Sequence, residues 1–233
     1  MKNYRYHNIN PSNKTSIEIE MEDIPDKIAK PPNERNNAMK ILMVGAISAG
    51  MSAFCTRYVK NYFSVYLRST IGVAFYHKEV ICEDEKKIDL HLWDIASSTR
   101  YGSMSKIYYQ ESNAAIILFD ITRTNSFYDA SWWIDDIRSK VKTSENNPIP
   151  CLLIGNKCDL NDEVPPDIQE KIDDLISSNQ IIGFYKTSCL KDINVKESAE
   201  FIVNYVNKNN IEPCFEYEQV NYFQQEIEHV DTC

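Results

Sequence analysis

The sequence predicts an α/β domain with a mostly parallel sheet and a ligand held at the carboxyl ends of its strands, on three observations. Ala114 to Asp120 and Pro150 to Asn156 are continuous apolar runs ending in a polar residue, the pattern of strands covered on both faces. Strand-like and helix-like periodicities alternate along the chain. The apolar stretch Met39 to Val44 runs into a loop bounded by Gly45 and Gly50, and a helical pattern opens at Met51.

Taken in order, residues 1–37 are polar and Asn-rich, and Pro11, Pro25, Pro31 and Pro32 interrupt any helix. They are read as a disordered extension, with Ile17, Ile19 and Met21 as a docking strand in the competing reading. After the opening strand and loop, a helix is predicted from Met51 to about Tyr62, with Phe54, Tyr58 and Val59 inward. Two strands, Gly72 to Cys82 and Lys87 to Asp94, are joined by the polar Glu83-Asp84-Glu85-Lys86. In the second of them Ile88, Leu90 and Leu92 alternate with Asp89, His91 and Trp93, which puts Trp93 on the solvent face. Between the two buried strands a helix is predicted over Thr124 to Lys142, with Phe127, Trp132, Ile134 and Ile137 as its inward stripe. A helix from about Pro166 to Ser178, a strand from Ile181 to Tyr185 and a helix from about Val195 to Lys208 complete the alternation.

With 233 residues, 43% of them apolar, the chain can bury one core. One monomeric domain over residues 38–209 is expected, followed by a flexible acidic tail over residues 210–233. A net charge of −9 and a pI near 5.0 argue against a nucleic-acid partner. Seven cysteines with no C-x-x-C pair, four of them in or beside apolar runs, point to reduced, mostly buried thiols in a cytoplasmic protein. No stretch approaches the ~18 apolar residues of a membrane span.

The loop after the first strand carries the chemistry. In the pattern G-x-x-x-x-G-K-[ST], successive backbone N–H groups wrap phosphates, the lysine reaches the outer two, and the hydroxyl ligates magnesium. Gly45, Gly50 and Ser52 stand in register with it, but Met51 holds the lysine position, and a thioether carries no charge and donates no hydrogen bond. Taken alone, an ordinary strand–turn–helix junction fits the loop as well. Asn156-Lys157-Cys158-Asp159 follows a buried strand and suits guanine: the carboxylate accepts from the ring N–H and amine, and the lysine stem packs on the base. Thr187-Ser188-Cys189 follows the next strand, where a backbone amide can meet the guanine oxygen.

With these motifs in this order the sequence resembles the Rab family of small GTPases over roughly Met39 to Lys208. The resemblance also rests on Ser69-Thr70-Ile71-Gly72-Val73-Ala74-Phe75, Leu92-Trp93-Asp94-Ile95-Ala96 and Ile107-Tyr108-Tyr109. Arg57-Tyr58-Val59, Phe63-Ser64 and Ile95 look most like the branch serving melanosomes and other lysosome-related organelles. The resemblance implies a P-loop GTPase fold with a six-stranded sheet, GTP or GDP with Mg2+ as cofactors, and a role in vesicle traffic. It implies nucleotide contacts from Gly45, Ala46, Ile47, Ser48, Ala49, Gly50, Met51, Ser52, Ala53, Phe63, Thr70, Asn156, Lys157, Asp159, Ser188, Cys189 and Leu190. Ser52 and Thr70 would ligate the metal, with Asp94 holding it through water. Effectors, and exchange factors with them, would read Leu67, Arg68, Ser69, Thr70, Ile71, Gly72, Val73 and Ala74 together with the aromatic triad Phe75, Trp93 and Tyr108.

The departures from the family pattern concentrate on the phosphates. Beside Met51, Ser97 replaces the glycine whose N–H meets the γ-phosphate, and Ser98 replaces the glutamine that orients the attacking water. Thr99 stands where a glutamate is usual, and Leu190 where a second base-stacking lysine is usual, with Lys191 one place on. Weakened binding and impaired hydrolysis are expected, with a nucleotide-free interaction scaffold as the alternative. The chain ends in a lone Cys233 instead of paired prenylated cysteines, and from Ile211 onward it has six acids and no Lys or Arg. A single prenyl chain without basic support holds a membrane only marginally, so contact with the cytosolic face of endomembranes depends on Cys233 being modified.

Overall fold

The computed structural model describes residues 37–101 and 105–214. The expected N-terminal extension, apart from Asn37, and Cys233 lie outside them.

Six strands form one sheet in the order β2-β3-β1-β4-β5-β6. They are β1 (Ala38–Gly45), β2 (Val73–Ile81), β3 (Lys87–Ile95), β4 (Ala114–Asp120), β5 (Cys151–Asn156) and β6 (Gly183–Thr187). All neighbouring pairs are parallel except β2 with β3, a hairpin. The helices are α1 (Met51–Lys60), α2 (Ser105–Tyr109), α3 (Thr124–Lys140), α4 (Pro166–Ser177) and α5 (Val195–Lys208), with a short 3-10 turn at Ser97–Tyr101.

Strands β4 and β5 are buried at every position, because they lie mid-sheet with a core layer on each face. One layer joins Phe54 and Tyr58 of α1 to Ala199, Ile202, Val203 and Val206 of α5. The other joins Phe127, Ala130, Trp133, Ile134 and Ile137 of α3 to Ile168 and Ile172 of α4.

Several boundaries differ from expectation for local reasons. Helix α1 stops at Lys60 because Asn61 takes a left-handed conformation and its N–H caps Arg57 O. β6 runs Gly183–Thr187, two residues later than expected, since Ile181 N–H is spent on Leu175 O at the end of α4. The inward tryptophan of α3 is Trp133, fully buried, while Trp132 is 37% exposed. Trp133 Nε1 donates to Gly45 O at 3.0 Å, tying the helix to the end of β1. Trp93 lies on the face opposite Leu92, yet that face is covered too. The ring is half-buried, with Lys40 Nζ 3.5 Å from its centroid, and packs against the second core layer.

Part of the stretch assigned to the flexible tail is fixed. Ile211 O accepts from Asn113 Nδ2, Glu212 O from Ser144 N–H, and Cys214 N–H donates to Lys142 O. No helix of the described residues is long and apolar enough to cross a membrane.

Candidate functional site

The loops that follow β1, β3, β4, β5 and β6 all leave the same end of the sheet, because these strands run parallel. The segment preceding β2 joins them there, since β2 is antiparallel. This is where the expected site residues meet.

The loop Gly45–Gly50 has room for no side chain at its two ends. A Cβ on Gly45 would lie 2.1 Å from Leu118 O, and one on Gly50, which has φ 101°, would lie 2.5 Å from Asn156 Nδ2. Ala46 N–H donates to Leu118 O, and Ser48 turns the chain at φ 62°. Ile47 is exposed, and its carbonyl accepts from Arg123 Nη2 at 2.6 Å. Ala49 is buried, and its carbonyl accepts from Asn156 Nδ2 at 2.8 Å. Gly50 is the N-cap of α1 and no side chain caps the helix, so the first N–H groups of α1 face the loop without a side-chain partner. Met51 points inward: it is only 8% exposed and belongs to the first core layer, against which Ala53 also packs.

Ser52, Thr70 and Asp94 come together from α1, the segment before β2 and β3. Ser52 Oγ donates to Asp94 Oδ2 at 2.5 Å, Thr70 Oγ1 donates to the same oxygen at 3.0 Å, and the two hydroxyls are 2.8 Å apart. Asp94 is fully buried, and its Oδ1 has no hydrogen-bond partner. Burial pushes its carboxyl above the usual range, with the two hydroxyls pulling against that effect. In the absence of metal the unfolded chain releases this proton first, so stability falls as pH rises from the ordinary carboxylate value toward the raised one. A buried carboxylate with one oxygen unsatisfied beside two hydroxyls fits a hard divalent cation with oxygen ligands, and Mg2+ meets that description. Such a cation would supply charge neutralisation for phosphate oxygens.

Asn156 occupies the centre of the site. Beyond its bond to Ala49 O, its Oδ1 accepts from Thr187 Oγ1 at 3.0 Å and Cys189 Sγ at 3.4 Å, so one buried amide joins the phosphate loop to the loops after β5 and β6. Lys157, at φ 70°, puts its Nζ 2.7 Å from Asp120 Oδ2. Asp159 Oδ1 accepts from Ser188 Oγ at 2.5 Å, and Ser188 Oγ also accepts from Lys191 N–H. Cys189 is buried, its thiol pushed up to about 12 by that burial. Leu190 is exposed at the mouth. Phe63 is half-buried against the first core layer.

Four residues to which the sequence reading gave no role in the site complete the frame. Asp120, at the end of β4, accepts from Lys157, Thr122 and Arg123. Burial alone would raise its pKa, but these donors outweigh it and hold the carboxyl at about 2. Arg123 spans from Asp120 to the carbonyl of Ile47. Arg57 Nε donates to Cys189 O at 2.8 Å, bracing the base-side loop from α1. Trp133 holds Gly45 O. The available signal was an aspartate closing a wholly apolar strand with an arginine three residues on.

The catalytic substitutions have their own partners. Ser97 Oγ donates to Gly45 O at 2.8 Å, the carbonyl already taken by Trp133. Ser98 is exposed, and Thr99 Oγ1 bonds back to Ala96 O.

On the neighbouring face, Phe75 is 63% exposed and meets Trp93 edge-on at 4.6 Å. Tyr108 is half-buried, its hydroxyl 3.8 Å from where a Cβ on Gly72 would sit. Leu67, Arg68, Ser69 and Ile71 are exposed, while Gly72, Val73 and Ala74 are half-buried.

The Ras family model matches residues 40–208. Ras-related protein Rab-32A of Dictyostelium discoideum is 38% identical over 173 residues, covering 74% of this chain and 79% of that protein. Ras-related protein Rab-32 of Homo sapiens is 34% identical over 182 residues, covering 78% and 80%. Ras-related protein Rab-7L1 of Homo sapiens is 33% identical over 178 residues, covering 76% and 87%.

Proposed function

The chain belongs to the Ras family, in the Rab branch that holds Rab-32, and from that premise we propose that it is a guanine-nucleotide-binding protein of vesicle or lysosome-related-organelle traffic. In this reading it binds nucleotide weakly, hydrolyses GTP poorly and recruits effectors through its switch surface. The observation that carries the reading is the contrast within one site. The base-side and metal-side groups (Asn156, Asp159, Ser188, Ser52, Thr70, Asp94) stand assembled, while Met51 is packed in the core and Ser97 is bonded to Gly45.

The residues divide the work. Loop amides and the N-terminus of α1 take phosphate oxygens, and Ser52, Thr70 and Asp94 would hold Mg2+. Asp159 reads the guanine edge while the Lys157 stem, anchored on Asp120, packs on the base. Ser98 is too short to orient water as glutamine does, and the Ser97 bond gives the switch a nucleotide-independent tie to the phosphate loop. Phe75, Trp93 and Tyr108, beside the exposed Leu67 and Ile71, form the surface for effectors and exchange factors. Contact with the cytosolic face of endomembranes would require prenylation of Cys233.

Single-turnover hydrolysis at saturating GTP tests the catalytic half. The double variant S97G/S98Q is expected to hydrolyse about tenfold faster or more than the natural chain, since it restores the backbone approach and the water-orienting amide. Equal rates, with the natural chain already as fast as ordinary Rab proteins, overturn it. The Ser97 bond and the buried Met51 also favour a second reading, a nucleotide-free scaffold with its effector surface fixed in one shape.

A further inference from the structure

We propose that His77, Asp89 and His91 form a surface site for a zinc-class divalent ion, separate from the nucleotide site and next to the aromatic pair Phe75 and Trp93. The register of the hairpin creates it. His77 on β2 lies directly opposite His91 on β3, and Asp89 stands two residues before His91. With a side-chain period of two, all three project from one face, and Asp89 is diagonal to His77.

The side chains converge. The imidazole centroids are 5.3 Å apart. His91 Nε2 is 3.1 Å from Asp89 Oδ2, and His77 Nε2 contacts the other oxygen, Oδ1, so one carboxylate joins both rings. One ligand atom from each residue lies within 4.8 Å of the others. Tetrahedral zinc bonds of ~2.0–2.2 Å to imidazole and carboxylate set ligand atoms roughly 3.3–3.6 Å apart, so these side chains must readjust around the ion, the His77–Asp89 contact opening to admit it. Rotation of side chains achieves that without moving the strands, because all three are at least 44% exposed.

The donor set selects the ion. Two imidazoles and one carboxylate suit zinc, copper or nickel, whereas magnesium and calcium prefer all-oxygen shells, so the ion required by nucleotide does not compete. Glu79 lies opposite Asp89 on the same face but pairs with Lys87 at 3.2 Å, which leaves three ligands among the described residues and open positions for water. Lys40 is the neighbour of His91 across β1, and its ammonium is turned over Trp93. An ion here would cross-link β2, the edge strand, to β3 two register positions from the Phe75–Trp93 pair, and so stiffen the edge of the effector face.

The test is calorimetric titration of the full chain with zinc in excess magnesium, repeated on H77Q, H91Q and E79Q. One equivalent of zinc is expected to bind. Either histidine variant should weaken it at least tenfold while keeping the natural circular-dichroism spectrum, and E79Q should leave it within about twofold. Because Cys158 and Cys214 are only partly covered, cobalt serves as a second probe. Its absorption should show ligand-field bands without thiolate charge transfer, and these bands should disappear in H77Q/H91Q. Zinc affinity unchanged in the double histidine variant, or a thiolate-dominated cobalt spectrum, overturns the site.

Discussion

Met51→Lys is expected to tighten GTP binding about a hundredfold or more in the presence of Mg2+. A lysine there reaches two phosphates, and each hydrogen bond to a charged group is worth ~1.5–3 kcal/mol, so two of them amount to at least two decades of affinity. The stability effect has the opposite sign without nucleotide. Met51 is a member of the first core layer, and a lysine begins at the same buried position with an ammonium and no phosphate to meet it. The variant should therefore melt below the natural chain when nucleotide-free and above it when saturated with GTP. Thermal unfolding with and without GTP and Mg2+ checks both signs at once. If Met51→Lys leaves affinity unchanged, the phosphate loop is not limited by its missing charge.

Asn156→Ala should cost about 3 kcal/mol of stability and abolish measurable guanine-nucleotide binding. The amide is 2% exposed and joins Ala49 O, Thr187 Oγ1 and Cys189 Sγ. Truncation leaves two or more buried groups without partners, at ~1–3 kcal/mol each. For a domain of this size the melting temperature should fall by roughly 10 °C. The loss of binding should exceed what partial unfolding explains, because the phosphate loop and the base-side loops are held together through this residue. A variant that melts lower yet binds nucleotide normally would show that Asn156 is only structural.

The parts of the fold legible in the sequence are those whose signal is local. The apolar run of β4 and the periodicity of α5 are found at their expected residues, since burial on both faces, or on one stripe, leaves a direct trace in composition. Trp132 and Trp133 could not be told apart by apolarity. Adjacent helical positions differ by ~100° in direction, and the acceptor that fixes the choice, Gly45 O, is 88 residues away. Trp93 showed the limit of alternation: its face of β3 is opposite Leu92, but a lysine from β1 covers it, and period-two patterning says nothing about cross-strand partners.

The site was legible to a similar depth. The family resemblance implied that Ser52, Thr70 and Asp94 share one cluster, the motif at the end of β5 put Asn156 behind the phosphate loop, and the structure brings these side chains together. Sequence alone did not show the network of Asp120, Arg123 and Lys157, which exists only because β4 and β5 end side by side. Nor did it show what the substituted residues do instead. Ser97 has a carbonyl of the phosphate loop as its acceptor, and Met51 has the core.

The nucleotide content of the purified natural chain tests the central claim most directly. The protein is denatured and its supernatant is resolved by ion-exchange chromatography. The account predicts guanine nucleotide below one equivalent in the protein as isolated, rising to one equivalent after incubation with GTP and Mg2+ and recovered mostly as GTP. A folded protein that is empty, stays empty after loading and gains no thermal stability from GTP would contradict it and establish the scaffold reading, since any ligand that prefers the native state raises its stability.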